Sequence, residues 1–210
     1  MSANQTNVRL KALLAEAGLD PLDDETASQF EAYLSLFLRW NKRINLSSVR
    51  DAEGILSRHL VESISVARYL PEGILTLLDF GSGAGLPGIP IALCRPEIAV
   101  TLAEAQGKKA AFLLEAVREL GIAAKVHAGR AEALGTVFDC LILRAVDKMP
   151  KAVAAAVRLI APGGWLALMT TDAEILRLQA AAGAQFSWMD PVRMPASERR
   201  LLALGQKINS

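Results

Sequence analysis

From residue 74 onward, short apolar runs alternate with longer stretches of helical spacing, and few folds satisfy that alternation. Residues 74–80, 98–104, 123–127, 140–144 and 165–170 read as strands, and residues 108–120, 149–160 and 172–182 as the clearest helices. Strands separated by helices assemble as a parallel sheet covered on both faces. Two final strand-like runs, 186–194 and 200–208, have no long helix between them and predict a closing antiparallel hairpin.

Residues 1–70 lack the alternation and read as helical. Val8, Leu10, Leu13, Leu14 and Ala17 fall near helical spacing, and Gly18 is a natural stop. Asp23 or Asp24 can cap a second helix with an apolar stripe of Phe30, Tyr33, Leu34, Phe37, Leu38 and Ile44. After a break at Ser47 and Ser48, a third helical stretch spans 51–69. The expected organisation is one compact unit: a helical extension over 1–70 and an α/β domain over 71–210.

The first expected strand runs into Gly81-Ser82-Gly83-Ala84-Gly85-Leu86-Pro87-Gly88, with a helix to follow. Glycines there allow a tight turn and close approach of a ligand to the backbone, and the helix start adds unpaired N–H groups. Glu104, 19 residues beyond Gly85, falls where the second strand ends. A carboxylate at that point can accept hydrogen bonds from both hydroxyls of a ribose. The pair fits binders of NAD, FAD and S-adenosylmethionine alike. The methyl donor is favoured by the closing hairpin after Pro162-Gly163-Gly164. A length of 210 residues also leaves little room for the separate substrate domain of many dehydrogenases.

Charge limits the partner. With 23 Lys plus Arg against 22 Asp plus Glu, the net charge of +1 argues against a general nucleic-acid binder. By segment, however, residues 1–31 carry −4, 32–70 carry +3, 71–140 carry −2 and 141–210 carry +4. Two basic blocks thus flank the expected cofactor region, which narrows a nucleic-acid partner to one shaped site. Arg9, Lys11 and Glu16 interrupt any signal-peptide core, and no apolar run approaches the ~18 residues needed to span a bilayer. Cys94 and Cys140 have no CxxC companions, so neither a disulfide framework nor a metal site is expected. These features suit a cytoplasmic chain without membrane or metal partners, expected to be a monomer.

Several motifs in order resemble the bacterial small-subunit ribosomal RNA guanine-N7 methyltransferases, also called the glucose-inhibited division protein B family. They are Trp40-Asn41-Lys42, Asn45-Leu46-Ser47-Ser48-Val49-Arg50-Asp51, Arg58-His59-Leu60, the segment from Gly81 through Gly88-Ile89-Pro90, Gly107-Lys108-Lys109, Arg130-Ala131-Glu132, Arg144-Ala145 and Glu198-Arg199. The resemblance covers about residues 8–207. It implies a Rossmann-like class I S-adenosylmethionine-dependent methyltransferase fold, a mainly parallel seven-stranded sheet with an antiparallel last strand. It implies cofactor contacts at Gly81, Leu86, Ala131, Glu132 and Arg144, with Gly83 and Gly85 shaping the loop and Glu104 holding the ribose. The chain departs from the family pattern at Thr170-Thr171, where Lys-Gly is common, at Arg200, where His is common, and at Glu62 and Glu104, where Asp is commoner.

Guanine N7 carries an in-plane lone pair and needs no deprotonation, so methyl transfer requires positioning more than a base. No catalytic acid or base is therefore assigned. Arg144 and His59 are possible contributors, His59 as a polar contact and Arg144 on the cofactor or a phosphate. The groups expected to meet 16S ribosomal RNA, within the small subunit, are Lys42, Arg43, Arg50, Arg58, Lys108, Lys109, Arg199 and Arg200. They would position RNA through phosphates rather than read it. With 11 aromatic residues there is little material for a stacking platform. A small-molecule methyltransferase, a non-catalytic nucleotide-binding regulatory module and a nicotinamide dehydrogenase are the alternatives.

Overall fold

Short polar caps set the N-terminal helices. The computed structural model describes residues 3–195 and 197–208. Helix α1 (Ala3–Glu16) stops before Gly18, which takes φ +67°. Helix α2 (Asp24–Asn41) starts at Asp23, whose carboxylate accepts from the Thr26 backbone N–H at 2.8 Å. It buries Phe30, Tyr33, Leu34 and Phe37 as expected, while Leu38 is only half-buried. Val8 departs from the expected α1 stripe and is 64% exposed. A third run begins with α3 (Ala52–Ile55), capped by Asp51, passes through a π-helical turn at Leu56–Leu60 and continues as α4 (Val61–Tyr69). π-Turns inside helices often mark functional sites, and this one carries His59.

The sheet contains β1 (Thr76–Phe80), β2 (Ala99–Ala103), β3 (Lys125–His127), β4 (Phe138–Arg144), β5 (Ile160–Thr171), β6 (Phe186–Trp188), β7 (Val192–Arg193) and β8 (Arg200–Lys207). Its order is β3-β2-β1-β4-β5-β8-β6, with β7 also on β8. The first five strands pair in parallel, and β8 runs antiparallel to β5, β6 and β7. Seven positions across the sheet are therefore filled, with the outer arm split in two. The split falls between Trp188 and Val192, at Pro191, which has no N–H to give to a ladder. The strand expected from 165 instead starts at Ile160, which pairs with Phe138 ahead of a register shift. That shortens the preceding helix to α7 (Met149–Ala156) and a 3-10 turn.

The strand pleat divides the core. Leu77, Cys140 and Ile142 face the layer made by α1, α2, α4, α5 (Gly88–Cys94) and α6 (Gly107–Leu120). Leu78, Leu141 and Leu143 face α7 and α8 (Ile175–Ala182). The N-terminal helices thus share one face of the sheet with α5 and α6. β1 lies between β2 and β4, so successive connections leave it in opposite directions. Open α/β sheets bind ligands outside the C-terminal ends of such strands.

Candidate active site

The loop after β1 is shaped by three left-handed glycines, Gly81 at φ +75°, Gly83 at φ +58° and Gly85 at φ +79°. The backbone N–H groups of Gly81 and Ser82 donate to the Ala103 carbonyl at 3.0 and 2.9 Å, which ties the loop to the end of β2. From the other side, the buried Tyr33 hydroxyl donates to the Ala84 carbonyl at 2.5 Å. Asp79, fully buried, accepts from the Gly88 N–H at 3.0 Å, and burial pushes its carboxyl up to about 7. A Cβ on Gly88 would meet Leu102 at 2.3 Å and Asp79 Oδ2 at 2.5 Å, so only glycine lets α5 start there. Gly85 has the same role one turn earlier, since its Cβ would meet Ile89 Cδ1 at 2.4 Å.

A cavity of about 880 Å³ opens over this loop. Gly81, Gly83, Leu86, Glu104, Ala131, Glu132 and Arg144 all line it, while Gly85 does not. Glu104 is used more than expected. Its Oε2 accepts from the Gly83 N–H at 2.8 Å and its Oε1 from the Gln106 N–H at 2.7 Å. Each oxygen keeps a further lone pair for a ribose hydroxyl. A Cβ on Gly83 would meet nothing closer than the Gly81 carbonyl at 3.9 Å, so that face of the loop is open. Acidic acceptor, open glycine cradle and volume fit a nucleoside cofactor such as S-adenosylmethionine.

Beside this cavity lies a polar cluster. Arg144, at the end of β4 and 13% exposed, donates from Nη2 to His59 Nδ1 at 2.7 Å and to Glu62 Oε2 at 3.1 Å. Its Nη1 donates to Ser63 Oγ at 3.3 Å. Because a guanidinium only donates, Nδ1 of His59 must accept, which leaves the proton on Nε2 to be donated to Ser47 Oγ at 3.0 Å. Burial first, then the charges of Arg144 and Arg200, push His59 down to about 4. Both ring nitrogens are engaged and the ring is neutral, so His59 positions Arg144 and is no general base. The lowered pKa gives a test. The unfolded chain binds a proton on His59 below about pH 6.5, so its contribution to stability is present above that pH and lost as pH falls toward about 4. The His59 ring should therefore stay neutral at pH 6 by NMR; a midpoint near 6.5 would contradict the network.

The expected RNA-facing cations separate into groups. Lys42, Arg43, Arg58, Lys108 and Arg199 are exposed. Arg50 is exposed but braces its own loop, donating to the Asn41 carbonyl at 2.8 Å and Asn45 Oδ1 at 2.6 Å. Lys109 lines the cavity. Arg200 is not a free phosphate binder in this structure: its Nε lies 2.8 Å from Glu62 Oε1, and its Nη1 donates to the Arg58 carbonyl at 3.4 Å. Arg130, Lys148 and Lys151, which are not among the expected RNA contacts, also line the cavity. Their signal was present: each lies in a segment leaving the C-terminal end of a strand. Ala145 at φ +49° and Lys148 at φ +51° hold unfavourable left-handed conformations in the loop after β4. Such strain concentrates at functional sites. Among the described residues no cluster of His, Cys, Asp and Glu could hold a metal, and no helix is long and apolar enough to cross a membrane.

Comparison with known proteins agrees with this geometry. The Bacillus cereus O-methyltransferase, solved with S-adenosylhomocysteine, superposes with a TM-score of 0.62 at 16% identity, covering 98% of this chain and all of that one, a likeness of fold. The methyltransferase from Pyrococcus furiosus gives 0.61 at 14% identity, over 86% of this chain and 99% of that one. In sequence, the ribosomal RNA small subunit methyltransferase G of Xanthomonas campestris pv. campestris strain 8004 is 40% identical over 191 residues, 87% of this chain and 88% of its own. The protein of the same name from Neisseria meningitidis serogroup A is 40% identical over 163 residues, 77% of this chain and 78% of its own. The family profile described as rRNA small subunit methyltransferase G matches residues 26–202. With that match over most of its length, the chain belongs to the rRNA small subunit methyltransferase G family.

Proposed function

We propose that this chain transfers a methyl group from S-adenosylmethionine to N7 of a guanine in 16S ribosomal RNA of the small subunit, acting as a monomer in the cytoplasm. The observation that carries the reading is the cavity over the glycine loop, with Glu104 on one side and the Arg144 cluster on the other. In this reading Glu104 and the loop backbone hold the ribose and the amino-acid tail, and Ala131 and Glu132 border the adenine. When bound, S-adenosylmethionine would supply an electrophilic methyl carbon, with a neutral thioether as the leaving group, to a guanine N7 that would become cationic. No proton moves, which matches a cavity lined by His59, a neutral and fully engaged ring. The chain's task is to hold the two reacting atoms about 3–3.5 Å apart.

The cations at the cavity supply the second test. Lys148→Glu with Lys151→Glu should cut methyl transfer to small subunits at least tenfold. The dependence of log affinity on log salt should flatten by about one per lysine lost. Binding of S-adenosylhomocysteine should change little. Unaltered transfer and salt dependence would remove this rim from the RNA path.

A further inference from the structure

We propose that a second cavity, of about 520 Å³, receives the target guanine, and that Glu62 reads its Watson–Crick edge. This rests on the methyl-transfer reading above and names how the acceptor is chosen. The two cavities share Arg144, Ala145 and Val146 as a common wall. A base in the second cavity with N7 toward that wall would face a methyl group delivered from the first. Ala145, at φ +49°, turns the backbone at this boundary and presents only a methyl side chain to it.

The lining divides by chemistry. Met149, Met169, Met194, Leu178 and Leu201 make apolar walls, and three of the chain's five methionines are among them. Thioethers are polarisable and adapt to the face of a flat ring. Such walls suit a base unstacked from RNA, as chemistry on a nucleobase requires. The polar end holds Glu62, Arg144 and Arg200, with Thr170, Thr171 and Glu174 nearby.

Glu62 is 1% exposed, and its two oxygens differ. Oε2 accepts a directed hydrogen bond from Arg144. Oε1 lies 2.8 Å from Arg200 Nε but receives no properly directed hydrogen bond. Oε1 is thus ion-paired with Arg200 but keeps a lone-pair direction that no donor fills. Guanine can fill that position with its N1–H, and its N2–H lies beside it. Adenine places the lone pair of its own N1 there and is repelled. The carboxylate thus favours guanine, with N1–H and N2–H on that edge, over adenine, whose N1 carries a lone pair.

The test uses the whole enzyme and unmodified small subunits, after the methylated guanine has been mapped with the wild-type protein. A second preparation carries adenine at that position. Glu62→Gln can accept from one face of its amide and donate from the other, which suits adenine. It should lower transfer to the guanine subunit by at least about tenfold and raise the adenine-to-guanine rate ratio by a similar factor. S-adenosylhomocysteine affinity should stay within about threefold, because Glu62 does not line the first cavity. A general structural fault would lower both rates and leave the ratio unchanged, and that result overturns the proposal. Met149→Trp, placing a ring in the second cavity only, should block transfer with cofactor affinity kept; full activity would also overturn it. Transfer by the wild type with Glu62→Gln indistinguishable from it sinks the guanine pocket alone. Absence of transfer by the wild type sinks the underlying reading and the pocket together.

Discussion

Gly83→Val should abolish measurable binding of S-adenosylhomocysteine, a loss of more than about a hundredfold, or ~2.7 kcal/mol. Two effects act together. Gly83 sits at φ +58°, where a β-branched side chain is strained by about 1–3 kcal/mol. Its Cβ would also point into the open face of the loop that lines the cavity. If the loop moves to relieve the strain, the Gly83 N–H leaves Glu104 Oε2, now at 2.8 Å, and the proposed ribose acceptor loses its anchor. Gly83→Ala carries less of both penalties and should fall between. Calorimetric titration decides it: unchanged affinity in the valine variant would remove the loop from cofactor binding. The fold should survive, since Gly83 contributes no core packing.

The other large effect is at Arg144. Arg144→Ala leaves the buried Glu62 carboxylate with only the off-line contact from Arg200 and leaves His59 Nδ1 without its donor. Breaking one side of a buried ion pair costs about 3–5 kcal/mol. The lower end is expected here, because burial already raises the Glu62 pKa and lets it take up a proton, and Arg200 remains close. At roughly 2–4 °C per kcal/mol for a chain of this size, the melting temperature should drop by about 6–12 °C. Combining Arg144→Ala with Glu62→Gln removes the orphaned charge, so the double variant should recover part of the loss. An additive double variant would contradict the coupling. Transfer activity should be lost in both, because Arg144 stands in the wall between the two cavities.

The alternation from residue 74 made the parallel sheet legible, because strands and crossover helices leave different apolar periods. Glycine spacing and Glu104 likewise marked the loop that borders the first cavity, since left-handed turns and a strand-end carboxylate are local demands. What escaped were features set by long-range packing. Arg200 reads as an exposed cation beside Arg199, yet it is drawn to Glu62 from 138 positions away in sequence. Val8 fits the helical spacing of α1 but faces outward, as period alone does not say which face another element will cover. Glu104 is read as a ribose clamp but also fixes the loop itself, a job visible only once Gly83 and Gln106 are placed around it. The π-turn at Leu56–Leu60 has no composition signature, and it carries the histidine that orients Arg144.

The most direct measurement is methyl transfer from labelled S-adenosylmethionine to small ribosomal subunits that lack the modification, followed by mapping of the product. Label is expected in 16S RNA, as N7-methylguanine at a single position, with transfer falling as salt rises. Label in a low-mass product, or cofactor binding with no transfer to subunits or their RNA, would contradict it.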